Sequence, residues 1–248
     1  MELFKDNYKC IVSGDSISKG VIYDEEKSKY VVSKNNYVFL LQNKIKGAVY
    51  NLSKFGATIT KGVKRLNDAV SEQNADIVLI EYGGNDCDFN WQEIADNPDG
   101  NHLPKTDLFT FEKVLKETVD ALKAKKFIPI LMTLPPLNAD SYLKWVSKNN
   151  PLAELNILKW LGSVTKIYWW QERYSSTIVR VAEETQTKLI DIREAFLRHA
   201  DFRNFICLDG IHPNEEGQKL IAEKVLNYIK NNYYFLMKDD LDTAAFSY

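Results

Sequence analysis

The chain is poor in cysteine and histidine and has no long apolar run, and each shortage removes a class of protein. Three cysteines (Cys10, Cys87 and Cys207) are too few and too scattered for a disulfide framework or a metal knuckle. No apolar stretch approaches the ~20 residues that a membrane-spanning helix needs. The opening residues, Met1 to Asp6, lack the apolar core of a signal peptide. Neither charge sign is in excess. A formal net charge of -2 gives no electrostatic footprint for nucleic acid or an anionic membrane. The densest basic cluster, Lys123, Lys125 and Lys126, falls where a helix is predicted to end, a position that favours cations anyway. The expectation is a reduced, cytoplasmic, soluble protein that binds no nucleic acid and does not insert stably into a membrane, with oligomerisation left open. At 248 residues and 45% hydrophobic, the chain can bury one large core, so a single domain over residues 1–248 is expected.

What the chain does have is a regular alternation of strand-like and helix-like segments. Tyr8 to Val12 reads as a buried strand that breaks at Gly14, and residues 18–33 as an irregular surface passage. A helix over Tyr37 to Lys46 stops at Gly47, and a strand follows over Ala48 to Leu52. Ile59 to Val70 is helical, with Ile59, Val63, Leu66 and Val70 on one face. Ala75 to Tyr82 is the strongest strand, apolar almost throughout, as a central parallel strand buried on both faces must be. Residues 87–107 read as loop, Leu108 to Lys125 as an amphipathic helix, and Phe127 to Leu134 as a fourth strand stopped by Pro135 and Pro136. An aromatic-rich segment over 138–174 looks helical in pieces. Then come a helix over Ser175 to Thr185, a fifth strand over Lys188 to Ile192, a short helix over Arg193 to His199, a loop over 201–214, a last helix over Glu215 to Asn231, and a polar tail over 238–248. The alternation predicts an α/β fold, a three-layer α/β/α sandwich around a central five-stranded parallel sheet. Segments 87–107 and 138–174 are read as insertions.

In such a sheet the turns that leave the carboxyl ends of the strands gather on one edge, where open α/β sheets place their ligands. Ser16, in Gly14-Asp15-Ser16, is therefore a hydroxyl held at a rim, and serves as a nucleophile, a donor to a phosphate, or a plain turn serine. Gly56, Asn85 in Gly83-Gly84-Asn85-Asp86, and the pair Asp209 and His212 in Asp209-Gly210-Ile211-His212-Pro213 arrive at the same edge. A serine hydroxyl needs a base within hydrogen-bond reach, and the base needs a carboxylate to orient it. Asp209 and His212 lie three residues apart across a glycine, so one turn can hold both. The other two histidines, His102 and His199, read as surface residues. A glycine N–H at 56, the Ser16 N–H and the Asn85 amide are suitable donors for a developing oxyanion.

Taken in this order, the four blocks resemble those of the SGNH, or GDSL, hydrolases, over roughly residues 8–230. The resemblance implies a flavodoxin-like SGNH-hydrolase fold and serine ester hydrolysis with no metal or organic cofactor. In that pattern Ser16 is the nucleophile, His212 the base and Asp209 its orienting carboxylate, while Ser16, Gly56 and Asn85 form the oxyanion hole. The absence of glycine at Ser18 argues against the Gly-x-Ser-x-Gly elbow of α/β-hydrolases. The implied substrate is a small acylated molecule, O-acetylated carbohydrate first, with lysophospholipid or thioester cleavage behind it. Trp145, Trp160, Trp169 and Trp170 in the aromatic segment are candidates for substrate contact or for packing.

Rival readings need other features. A metal phosphoesterase would draw on Asp15, Asn85, Asp86 and His212, with Gly100-Asn101-His102 as a further motif, but two-metal sites want several histidines and bridging carboxylates. A flavodoxin-like module holding a phosphate in the loop from Gly14 to Gly20 gives no reason for the Asp209–His212 pair, and the intact set of Ser16, Gly56, Asn85, Asp209 and His212 argues against a carbohydrate-binding protein that has lost turnover.

Overall fold

The computed structural model describes residues 8–73 and 75–238. In chain order the elements are β1 (Lys9–Gly14), α1 (Ser16–Lys19), β2 (Val21–Asp24), β3 (Lys29–Val32), α2 (Tyr37–Lys44), β4 (Ala48–Asn51), α3 (Ile59–Gln73), β5 (Ile77–Glu81) and α4 (Trp91–Asp96). They continue with α5 (Leu108–Ala124), β6 (Ile128–Met132), α6 (Ala139–Val146), α7 (Pro151–Leu161), α8 (Thr165–Glu184), β7 (Lys188–Ile190), α9 (Ile192–Leu197) and α10 (Glu215–Asn232).

Five strands form one parallel sheet in the order β4-β1-β5-β6-β7. The chain runs from β1 out to β4, then crosses to the other side of β1 to lay down β5, β6 and β7. Strand order therefore reverses at β1, and the loops after β1 and β5 frame the crevice where such sheets bind ligands. Register pairs Ile11 with Val78 and Val12 with Leu79. Alternation of side chains splits these residues between two faces. Val12, Leu79 and Ile130 pack with Tyr37, Leu41, Ile221 and Val225 from α2 and α10. Ile11, Val78 and Leu131 pack with Leu66, Phe111, Val119 and Ile178 from α3, α5 and α8. The expected three-layer sandwich is what the chain builds.

A third apolar cluster lies outside the sandwich. Phe89, Ile94, Leu137, Leu143, Ile157 and Ile167 join α4, α6, α7 and the start of α8 into a body with its own core above the carboxyl edge. No helix among the described residues is long and apolar enough to cross a membrane.

Several local expectations are corrected. Residues 18–33 are not irregular: after α1, β2 and β3 form an antiparallel hairpin, Val21 opposite Val32 and Tyr23 opposite Tyr30. Helix α2 ends at Lys44 rather than Lys46, because Ile45 is extended (φ -111, ψ 149) and buries its side chain in the core. The loop over 87–107 contains α4, capped by Asn90. Ser175 to Thr185 is no separate helix but the second half of α8, and a short 3-10 turn, Phe202–Phe205, interrupts the loop over 201–214. The polar tail, beyond Lys238, lies outside the described residues.

Candidate active site

Ser16 opens α1 at the carboxyl end of β1, in a turn with no room for a side chain at position 14. A Cβ on Gly14 would lie 2.6 Å from the Ser18 side chain and 2.7 Å from the Glu81 carbonyl oxygen. Asp15 caps the helix, its Oδ1 accepting from the Ile17 N–H at 2.9 Å. The hydroxyl is thus held at a rim but nearly buried.

The segment leading into α10 folds back on itself to present the other two groups. Cys207 N–H donates to the His212 carbonyl at 2.7 Å, and Gly210 N–H to the Cys207 carbonyl at 2.9 Å. Gly210 takes φ +81, and a Cβ there would come within 2.6 Å of Asn138 O and Tyr142 N, so glycine is required on both counts. In this loop Asp209 Oδ1 accepts from the N–H groups of Ile211 (3.0 Å) and His212 (3.1 Å). Its Oδ2 accepts from His212 Nδ1–H at 2.5 Å. The other ring nitrogen, Nε2, accepts from the Ser16 hydroxyl at 2.8 Å, across 196 positions of sequence. Burial pushes the Asp209 carboxyl up, but the hydrogen bond and charge of His212, with the two N–H donors, outweigh it and hold the group below the usual carboxylate range.

Two aromatic residues that the sequence reading left out complete this arrangement. Tyr30, on β3, donates its O–H to Asp209 Oδ2 at 3.0 Å and sets its ring edge-on to His212, centroids 5.1 Å apart. Phe55 stacks on the imidazole from another side, 6.0 Å away at 12°. The signal for Tyr30 was there: two short β-prone runs flank the acidic turn Glu25-Glu26-Lys27-Ser28.

Gly56 and Asn85 line one cavity with Ser16 and His212. Gly56 has φ +70, and a Cβ built on it would meet nothing within 4 Å, so the backbone there is open to a ligand. Asn85 donates an amide N–H to Asp15 Oδ2 at 3.1 Å, which fixes the orientation of its Nδ2. The cavity, about 360 Å³, runs from Ser16 into the third apolar cluster, where Phe89, Trp91, Leu137, Trp160, Leu161 and Trp170 form its walls. Trp145 also faces it. Trp169 does not line it; the side chain is 51% exposed on the outer face of α8. His102 also departs from expectation, its ring packing edge-on against Trp160 with centroids 5.6 Å apart.

The alternative metal set does not converge. Asp15 is committed to Ile17 and Asn85, and Asp86 turns away to accept from Ile59 N–H, the first residue of α3, with its two oxygens at 3.0 and 3.1 Å. Among the described residues, no three His, Cys, Asp or Glu side chains cluster as a metal site.

Asp86 gives a pH-dependent expectation. Burial pushes its carboxyl up to about 7, against the hydrogen bonds of Thr106 and Ile59 that pull it down. A carboxyl that binds its proton more tightly folded than unfolded adds stability at acid pH, and loses that contribution as pH rises through its folded value. Wild-type stability relative to Asp86→Asn is therefore expected to fall between about pH 4 and 7, by up to roughly 4 kcal/mol. Urea unfolding of both proteins across that range measures it. A difference that does not change with pH refutes the assignment.

Residues 12–220 match the model of the GDSL-like lipase/acylhydrolase family. The chain is 24% identical over 156 residues to the GDSL esterase/lipase WDL1 of Oryza sativa subsp. japonica, covering 62% of this chain and 53% of that one. It spans about half the length of the curated relatives it matches. Among solved structures, the lipase/acylhydrolase from Enterococcus faecalis superposes with a TM-score of 0.65 at 22% identity, over 93% of this chain and 97% of that one. The acetyl xylan esterase AlAXEase does so with a TM-score of 0.61 at 21% identity, over 89% and 99%. At these identities the structural likeness speaks to the fold alone. The match over residues 12–220 carries further, and by it the chain belongs to the GDSL-like lipase/acylhydrolase family.

Proposed function

We propose that the protein is a serine ester hydrolase working through an acyl-enzyme. The observation that carries this is the unbroken relay from Ser16 Oγ through His212 to Asp209 at hydrogen-bonding distances, beside an open cavity. Ser16 Oγ attacks the ester carbonyl while His212 Nε2 takes its proton, and Asp209 stabilises the imidazolium. The N–H groups of Ser16 and Gly56 and the Asn85 amide receive the negative oxygen of the tetrahedral intermediate. Its collapse breaks the ester bond. His212 gives the proton to the departing alcohol, then draws one from the water that attacks the acyl-serine; collapse of this second intermediate breaks the acyl–Oγ bond and releases the acid as His212 returns the proton to Ser16 Oγ.

The apolar walls favour placing the acyl group, rather than the alcohol, in the cavity. An acetyl group would leave most of it empty, so acyl esters of medium chain length are the proposed substrates. O-acetylated carbohydrate, which the sequence put first, is the second reading, with the fold likeness to an acetyl xylan esterase in its favour. Each buried methylene contributes about 0.8 kcal/mol, so kcat/KM is expected to rise roughly two-hundredfold from acetyl to hexanoyl p-nitrophenyl esters. The test is a rate series from acetyl to decanoyl esters alongside acetylated xylo-oligosaccharides. A maximum at acetyl, or on the sugars, would move the assignment to the second reading. Cytoplasmic residence is part of the proposal: Cys10, Cys87 and Cys207 are all buried free thiols, which suits a reducing compartment.

A further inference from the structure

Behind the oxyanion-hole asparagine lie two carboxyl groups that the reaction does not use as acids or bases. Glu81 ends β5 and Asp15 follows β1; the parallel register sets Gly14 opposite Glu81, so the two acids meet beneath the catalytic turn. Each is 1% exposed.

Their hydrogen bonds can be followed donor by donor. Tyr37 O–H donates to Ser18 Oγ at 2.7 Å, and Ser18 O–H donates to Glu81 Oε2 at 2.8 Å. The Glu81 carboxyl lies against the side chain of Asp15. Glu81 Oε1 is fully buried, and no donor among the described residues makes a hydrogen bond to it. Asp15 is supplied differently, since Oδ1 accepts from Ile17 N–H at 2.9 Å and Oδ2 from the Asn85 amide at 3.1 Å.

Two carboxylates side by side in a buried site repel strongly, and without a cation in contact the two cannot both stay charged. The titratable groups facing them are Tyr37 on α2, Tyr82 just after β5, and Asp86 and Cys87 in the following turn. His212 acts on Asp15 from the cavity side, and Arg65 reaches only Tyr82. No positive partner therefore serves Glu81. Asp15, with two N–H donors aimed at it, is the better seat for the single charge. Glu81 receives the Ser18 hydroxyl and a lesser approach from the Asp15 backbone N–H, without the His212 influence that favours an ionised Asp15, so it is the better seat for a proton, and a proton on Oε1 also resolves its missing partner.

We propose that Glu81 is a neutral acid that donates its proton to an ionised Asp15, and that this pair locks the Asn85 amide toward the oxyanion. The donations then run one way, from Tyr37 through Ser18 and Glu81 to Asp15, with Asn85 arriving from the other side. Glu81 is a positioning residue: it reaches the substrate only through Asp15 and Asn85. Burial, first, and the neighbouring Asp15 both push the Glu81 carboxyl well up, in agreement. The role given to Asn85 rests on the esterase reading; the location of the proton does not.

The test uses Glu81→Leu and Glu81→Gln in the full chain. Leucine can neither donate nor accept, and is expected to lower kcat by about 10- to 100-fold with KM within about threefold. Glutamine reproduces a neutral acid, its amide N–H replacing the proton and its carbonyl accepting from Ser18, and is expected to restore most of kcat. Infrared difference spectra of wild type against Glu81→Gln, taken at about pH 8.5 where Asp86 is ionised, are expected to show a protonated carboxylic-acid C=O band that the variant lacks. That band does not depend on turnover, so it is informative even if ester hydrolysis is the wrong reaction or Glu81→Leu fails to fold. No such band in the wild type, or glutamine as damaging as leucine in a folded protein, overturns the proposal.

Discussion

Alanine at position 16 is expected to lower kcat/KM for p-nitrophenyl esters by at least about 10⁴-fold. Only one atom is removed, and its sole hydrogen bond is to His212 Nε2. No other group is placed to replace it: Ser18 is turned to Glu81 and Tyr37, and Ser13 to Tyr82 at 2.9 Å. The fold should hardly notice. One neutral hydrogen bond contributes about 1 kcal/mol, a shift of roughly 2–4 °C in Tm for a chain of this size. Steady-state rates and thermal unfolding measured on the same preparation separate the two effects. Activity within about tenfold of wild type, in a protein that unfolds normally, would place the nucleophile elsewhere.

Asparagine at position 209 is expected to cost about 10⁴-fold in kcat, although it removes no volume. Asp209 divides its work between two oxygens. Oδ1 accepts from the Ile211 and His212 N–H groups and shapes the loop, while Oδ2 accepts from the His212 ring and from Tyr30. The asparagine carbonyl takes the first duty, because the loop donors admit nothing else. The amide nitrogen then faces His212 Nδ1 and the Tyr30 hydroxyl with hydrogens of its own. To accept from it, the ring must lose its Nδ1 proton and carry one on Nε2, the nitrogen that has to receive the Ser16 proton. Geometry survives, but the tautomer is wrong. A pH–rate profile and the imidazole ¹⁵N chemical shifts of Asp209→Asn report this directly; an unchanged tautomer with an unchanged kcat would rule out the relay.

The sheet and the turns that carry the proposed site are legible in the sequence because their causes are local. Strands buried on both faces, such as β5 with its run from Ile77 to Ile80, must be almost entirely apolar, and the small polar residues after them have few uses besides a turn. Ser16, Gly56, Asn85, Asp209 and His212 can be named from such turns, and the structure brings four of them to one cavity, with Asp209 buried behind His212. Less legible is whatever depends on neighbours. Helix α8 carries Ile167, Gln171, Tyr174, Ile178 and Val181 on its buried face at helical spacing, but the run Tyr168-Trp169-Trp170 obscures the pattern. The six residues of α4 are hidden by Pro98, Gly100 and Pro104 close by. Tyr30 goes unseen because its partner, Asp209, lies 179 positions away. The Glu81–Asp15 contact arises from strand register, which no single segment encodes.

The helices that wall the cavity draw their cohesion from Phe89, Ile94, Ile157 and their neighbours, apart from the residues that hold the strands together. Mutational change can therefore accumulate in one body while the other keeps its shape. On the proposed esterase reading, selectivity for the acyl portion is an attribute separable from the reacting groups, and a new substrate range would be acquired by reshaping α6 and α7 without retuning Ser16, His212 or the turns that carry them.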